Sequence, residues 1–250
     1  MMVSLAAIWL LSLAPHNPGQ IGSWDFRSPV LAGNLEEVEA LYRQVGSLKH
    51  PIHPDDREDV LSTFVALCRS SSWYGKVLTG VRLCFERGAD PNALQASSLR
   101  IAAYHDKYGK VVERLLKYGA KPNVFNMERG SPLLAAVWQK NTKSVEALLQ
   151  YKADPNLVSN HRRQLPLAEA ARTGQADLAE MLLKAGAVVN MIEPGSRETA
   201  LHAAARTDHD GVVRLLLRRG ASRTIRDGNG RTPLQAALKA GAKKTPKLLR

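Results

Sequence analysis

The feature that most constrains this chain is that it repeats itself. The stretch "SPLLAAVWQKNTKSVEALLQYKADPN" from Ser131 aligns with "LPLAEAARTGQADLAEMLLKAGAVVN" from Leu165, then with "TALHAAARTDHDGVVRLLLRRGASRT" from Thr199 and "TPLQAALKAGAKKTPKLL" from Thr232. An upstream copy, "SLRIAAYHDKYGKVVERLLKYGAKPN", starts at Ser98, so successive starts fall 33 or 34 residues apart. A unit ending in "FERGADPN" at Asn92 and a partial unit from Ala32 to Gly46 bring the number to about seven. A single unit of this length cannot bury its own apolar face, so the period predicts a stack in which each unit rests on its neighbours.

Local chemistry says what each unit contains. Thr232 is suited to the N-cap, Pro233 to the first helical position, and Gln235 to closing a capping box; Thr199 and His202 take the corresponding places one unit earlier. A short Ala-rich helix follows, then a second helix with a Leu/Val stripe such as Val212, Val213, Leu215, Leu216 and Leu217. Gly119, Gly186 and Gly220 stand where a left-handed residue ends that helix, and polar stretches such as "RDGNGR" form a projecting turn. Aromatic residues make up only 6% of the chain while Ala and Leu are abundant, which favours packed helices over sheets.

The recurring [ST]-P-L-x-x-A at the start of a unit and G-A-x-x-N at its end resemble the ankyrin repeat family. The resemblance runs over residues 25–250, behind a hydrophobic segment and linker at 1–24 and with an insertion near 70–76. It implies an all-α solenoid of stacked helix-turn-helix units with projecting turns or short hairpins. It also implies protein binding through the turn tips and the exposed face of the first helices, and a hydrogen-bonding structural role for His202 within and between units. Leu165 and Arg100 are the clearest departures from the pattern, Arg100 standing where the family has a core leucine.

Residues that suggest chemistry fall inside the repeat register. "TALHAAARTDHD" carries His202, Asp208, His209 and Asp210, but the counterparts of His202 are Gln235, Ala168 and Leu134, which could not replace a catalyst. His209 reads as a solvated loop residue and Asp210 as a cap for the second helix. In "HPIHPDD" (50–56), Pro51 and Pro54 break the helix that would bring His50 and His53 together as metal ligands. "GNGRTP" lacks the Lys-Ser/Thr of a phosphate loop. Cys68 and Cys84 lie in apolar runs and read as core residues, with a bond between them open if the chain is exported. The chain is therefore expected to be non-catalytic, without metal or cofactor.

A binding surface can be placed by register. Seven residues after each unit start come His105, Trp138, Arg172, Arg206 and Lys239, and Arg231 lies one before Thr232. Aligned on stacked helices roughly 10 Å apart, these would line a concave basic strip, and Trp and Arg are the types enriched at interface hot spots. Arg162 at a turn tip is a further candidate. Trp73 and Tyr74 in the insertion read either as an exposed contact pair or as a staple for it.

The net charge is +12, of which the region from Gly195 to Arg250 carries +9. Such a field favours an acidic partner. The expected ligand is another protein with an acidic patch, bound by a monomeric stack, in one version as an inhibitor or immunity-type binder. The alternative is an anionic surface, nucleic acid or lipid, met by the basic C-terminal end. No small-molecule substrate is expected. The apolar start, "MMVSLAAIWLLSLAP", resembles the hydrophobic part of a signal peptide, with Ser12-Leu13-Ala14 as a small-x-small site. Export to the periplasm or membrane anchoring is the expectation it raises, against a cytoplasmic place with a buried N-terminal extension.

Overall fold

The computed structural model describes residues 34–37, 39–40, 65, 74–86, 88–107, 109–124, 130–158 and 163–250. Among these, α1 (Tyr74–Glu86) precedes five helix pairs: α2 (Ala93–His105) with α3 (Lys110–Lys117), α4 (Pro132–Trp138) with α5 (Thr142–Gln150), α6 (Pro166–Arg172) with α7 (Ala176–Lys184), α8 (Ala200–Arg206) with α9 (Asp210–Arg218), and α10 (Pro233–Lys239) with α11 (Pro246–Leu249). No strand occurs among the described residues beyond single bridge residues at Gly130 and Gln164.

The first helices of the pairs form an inner row, α2, α4, α6, α8 and α10, each packed on the next. The second helices, with α1, form an outer row in the same order, and outer neighbours pack less closely than inner ones from α4 onward. Side-chain size accounts for this: α8 buries Ala200, Leu201, His202, Ala203, Ala204 and Ala205, and small residues let backbones approach. Outer helices are instead amphipathic, as in α9, where Val212, Val213, Leu215 and Leu216 are buried and Arg214 and Arg218 are exposed. Burying one such leucine contributes about 1.5–3 kcal/mol.

Helix starts follow the local chemistry. Ser131, Thr199 and Thr232 each accept a hydrogen bond from the backbone N–H three residues on, and Thr199–His202 and Thr232–Gln235 form complete capping boxes. At the ends of the outer helices, Gly119, Gly186 and Gly220 have φ of 91°, 95° and 85°, and Lys152 holds the same register place at φ 65°. Asparagines link the units along one edge. Asn92, Asn123, Asn156 and Asn190 each donate to a carbonyl at the end of the next outer helix and accept an N–H two residues further on.

Four details differ from the sequence reading. Ser98 lies inside α2, which begins at Ala93, because no proline follows it and "ALQAS" is good helix sequence. By residue type Pro246 reads as a break in the second helix of the last unit, but it occupies the first turn of α11, where its missing N–H costs nothing. Asp210 is the first residue of α9 and His209 its N-cap. His209 is only partly exposed, and its ring lies where a Cβ on Gly174 would sit, 2.6 Å from Nδ1. Segment 1–24, "HPIHPDD", Cys68 and the insertion before Tyr74 lie outside the described residues. Among the described residues no helix is long and apolar enough to cross a membrane.

Candidate partner-binding face

The register column emerges at the C-terminal ends of the inner helices. His105 and Trp138 are half-buried, Arg206 and Lys239 are exposed, and Lys239 makes no ion pair with a described carboxylate. Next to the column, Tyr104 and Leu238 are large apolar side chains left 39% and 54% exposed. Their signal in the sequence was weak, because the same register place in other units holds the buried Val137, Ala171 and Ala205.

Arg172 sits differently. Its guanidinium pairs with Glu169 on its own helix and, at 2.8 Å, with Glu193 from the turn of the next unit; Glu198 lies 4.0 Å away. Burial works against its charge, but the Glu193 and Glu169 carboxylates outweigh that and raise its pKa further. Arg206 reaches Glu198 at 3.2 Å from an exposed position. The middle of the strip thus carries three carboxylates against two guanidiniums, so it is not a bare basic surface. Arg172 is 23% exposed and held by its neighbours.

Glu193, 2% exposed, does more than pair. Its Oε1 accepts the Leu165 N–H at 3.1 Å, the task that His202 Nδ1 performs for Thr199 and Gln235 Oε1 for Thr232. Leu165 has no capping side chain and Ala168 cannot close a box, so a carboxylate from the following unit takes the box-closing role and accepts the Leu165 N–H. Sequence reasoning missed this residue, which lies 28 positions from the N–H it satisfies.

His202 is fully buried. Nδ1 accepts from the Thr199 N–H at 3.2 Å, which leaves Nε2 to donate to the Arg231 carbonyl at 3.0 Å in the next unit. Arg231 in turn pairs with Asp227 at 3.5 Å, and Asp227 accepts the Asn229 and Arg231 N–H groups. Burial alone would raise the Asp227 pKa; those N–H donors prevail and lower it. Asp208, at φ 59°, accepts N–H bonds from Thr245, Lys243 and Lys244, and the Thr245 bond leads in holding its carboxyl down to about 2. Asp208 and His202 tie units together, and Asp227 braces the turn whose Arg231 carbonyl His202 holds.

Tyr74 also turns inward. Its hydroxyl donates to Asp106 at 2.6 Å and accepts the Lys110 N–H, and burial, followed by the Asp106 carboxylate, pushes its pKa upward. It fastens α1 to the turn before α3, whose first N–H groups Asp106 also caps. Trp73 and Arg162 lie outside the described residues.

Among the described residues no group of three or more His, Cys, Asp or Glu side chains is arranged to hold a metal ion. What the stack presents is a row of helix ends and projecting turns, the architecture of an all-α repeat fold. A family model described as ankyrin repeats (three copies) matches residues 99–193 and 167–250, together well over half of the chain. The chain belongs to the ankyrin repeat family. A search of curated proteins found no match. Ankyrin stacks are protein–protein interaction modules and are typically non-catalytic.

Proposed function

We propose that this stack binds a partner protein across its concave inner face. Trp138 and His105 supply the apolar end of the contact, and Arg206, Arg231 and Lys239 meet acidic side chains of the partner at the other. The observation that carries the reading is the alignment of His105, Trp138, Arg206 and Lys239, with Arg172 between them, at one register place on successive, directly packed inner helices, with Arg231 in the turn before the last of them. The face is preformed, so little ordering opposes association, and its exposed charges act mainly on the rate of encounter. Arg172 serves this face by locking the turn that carries Glu193 onto α6. A stack that covers its partner in this way would act as a stoichiometric inhibitor, and as a monomer.

The test is affinity capture from native extract with the full chain, read by mass spectrometry, beside a Trp138→Ala/Arg206→Glu/Lys239→Glu variant with unchanged circular dichroism. A partner held by the parent chain and lost from the variant supports the reading; equal capture by both refutes it. A second reading has its own observation: Arg214, Arg218 and Arg223 are exposed and pair with no described carboxylate, and Lys243, Lys244 and Lys247 lie exposed nearby in sequence. It assigns this basic end to nucleic acid or anionic lipid, and a binding constant that falls steeply with salt would mark it.

A further inference from the structure

At the C-terminal ends of the inner helices, adjoining the register column and sharing His105 with it, the turns of two units form a second basic feature. Lys107 and Lys140 hold the same register place, nine residues after Ser98 and Ser131, and Lys110 and Lys143 hold another, twelve after them. All four are exposed. The next two units have Gly174 with Asp177 and Asp208 with Gly211 at these places, so the lysine block belongs to one pair of units alone among those four. Lys140 is kept there at φ 56°, where Gly174 and Gly241 have φ of 74°. A side chain in the left-handed region is strained, and the turn carries a lysine there nonetheless.

These turns enclose an open groove of about 480 Å³, lined by Tyr104, His105, Lys107, Lys140 and Lys143 among others, with no carboxylate among its described lining residues. Tyr104 and His105 meet edge to face with centroids 4.8 Å apart, giving the groove an aromatic wall. Backbone packing fixes one side of it: a Cβ on Gly109 would lie 2.9 Å from the Lys143 backbone, so the two turns abut.

We propose that this groove docks a short acidic segment of a partner protein, with carboxylates on the lysines and an apolar side chain against Tyr104. The proposal rests on the reading of the chain as a protein-binding module. Charge complementarity selects an acidic ligand, and the surroundings select a short one. The neighbouring depression, which shares Lys143, is lined by Glu113 and Glu146, so a polyanion running past the groove meets repulsion there. Lys143 itself contacts Glu146 at 3.3 Å from a largely exposed position, a pairing that an incoming carboxylate can share.

The experiment uses the full chain, a fluorescein-labelled hexaglutamate peptide and an oligothymidylate of similar charge, with binding read by anisotropy at low salt. Two variants remove two charges each: Lys107→Ala/Lys140→Gly in the groove, where glycine keeps the positive φ, and Arg214→Ala/Arg218→Ala on the exposed outer face. The groove variant is expected to weaken the peptide about fivefold or more, the scale of two exposed charge pairs, while the outer-face variant changes it less than about twofold. Equal weakening by both variants, absence of peptide binding, or groove-dependent binding of the oligothymidylate alone would overturn the proposal. Circular dichroism and urea midpoints matching the parent show that the variants fold. The peptide titration does not involve Trp138, Arg206 or Lys239, so its failure leaves the concave-face reading standing, and loss of partner capture leaves this one.

Discussion

Replacing His202 with alanine removes two hydrogen bonds at once from a residue with no solvent exposure. The Thr199 N–H, in a residue only 1% exposed, loses its acceptor, and the Arg231 carbonyl loses the donor that ties α8 to the next unit. A buried polar group left unpaired costs about 1–3 kcal/mol, so with the second share at the lower end the two sum to about 2–4 kcal/mol. The Arg231 carbonyl lies in a half-buried residue that water can reach, which places its share at the lower end. The empty ring volume adds a cavity cost. His202→Gln is the informative companion, since Gln235 closes the equivalent box on Thr232 through Oε1 at 2.9 Å. It should restore the Thr199 bond, lose the link to Arg231, and recover about half of the stability. Urea unfolding followed by circular dichroism measures the totals, and hydrogen exchange over α10 reads the lost coupling between units. An alanine variant within about 0.5 kcal/mol of the parent, or a glutamine variant no better than alanine, would show that His202 does not hold the two units in this way.

Other perturbations follow from the same contacts. Asp208 has its folded-state pKa lowered to about 2, so the stability it contributes is present above its unfolded value near 3.8 and is lost as pH falls through the window between them. Exchange of the Lys243–Thr245 amides should accelerate in that window for the parent chain, and Asp208→Asn should show the fast rate already at neutral pH. Lys152→Gly relieves a left-handed side chain and should stabilise by up to about 1 kcal/mol, whereas Gly186→Ala at the same register place should destabilise by about 1 kcal/mol; thermal melts give the two signs. Glu193→Gln weakens the Arg172 pair and should cost about 1–2 kcal/mol. Adding Arg172→Gln should cost less than the sum of the single changes, because the two side chains share one contact, and a double-mutant cycle measures that coupling.

The fold was legible because each unit repeats the same local rules. Thr199, Thr232 and the glycines at 119, 186 and 220 announce helix starts and stops without knowledge of any neighbour. What escaped the sequence is what passes between units. Glu193 caps Leu165 and pairs with Arg172 across 28 and 21 positions, and no periodic signal marks it, since the corresponding residue of the next turn, Asp227, bonds within its own turn. The basic strip was drawn from one register column, and its middle is balanced by Glu169 and Glu198 from other columns. Ser98 and Pro246 show a different limit: one was assigned by position in the repeat and the other by residue type, while their immediate neighbours decide the helix. Tyr74 had two readings from sequence, and the buried Asp106 carboxylate selects the staple.

Hydrogen exchange of the purified complex against the free chain distinguishes a partner on the inner row from one on the outer helices. Binding on the inner row should add protection at the C-terminal ends of α4, α8 and α10, around Trp138, Arg206 and Lys239, and leave α5, α7 and α9 unchanged. Protection confined to α7 and α9, around Lys184, Arg214 and Arg218, would contradict it.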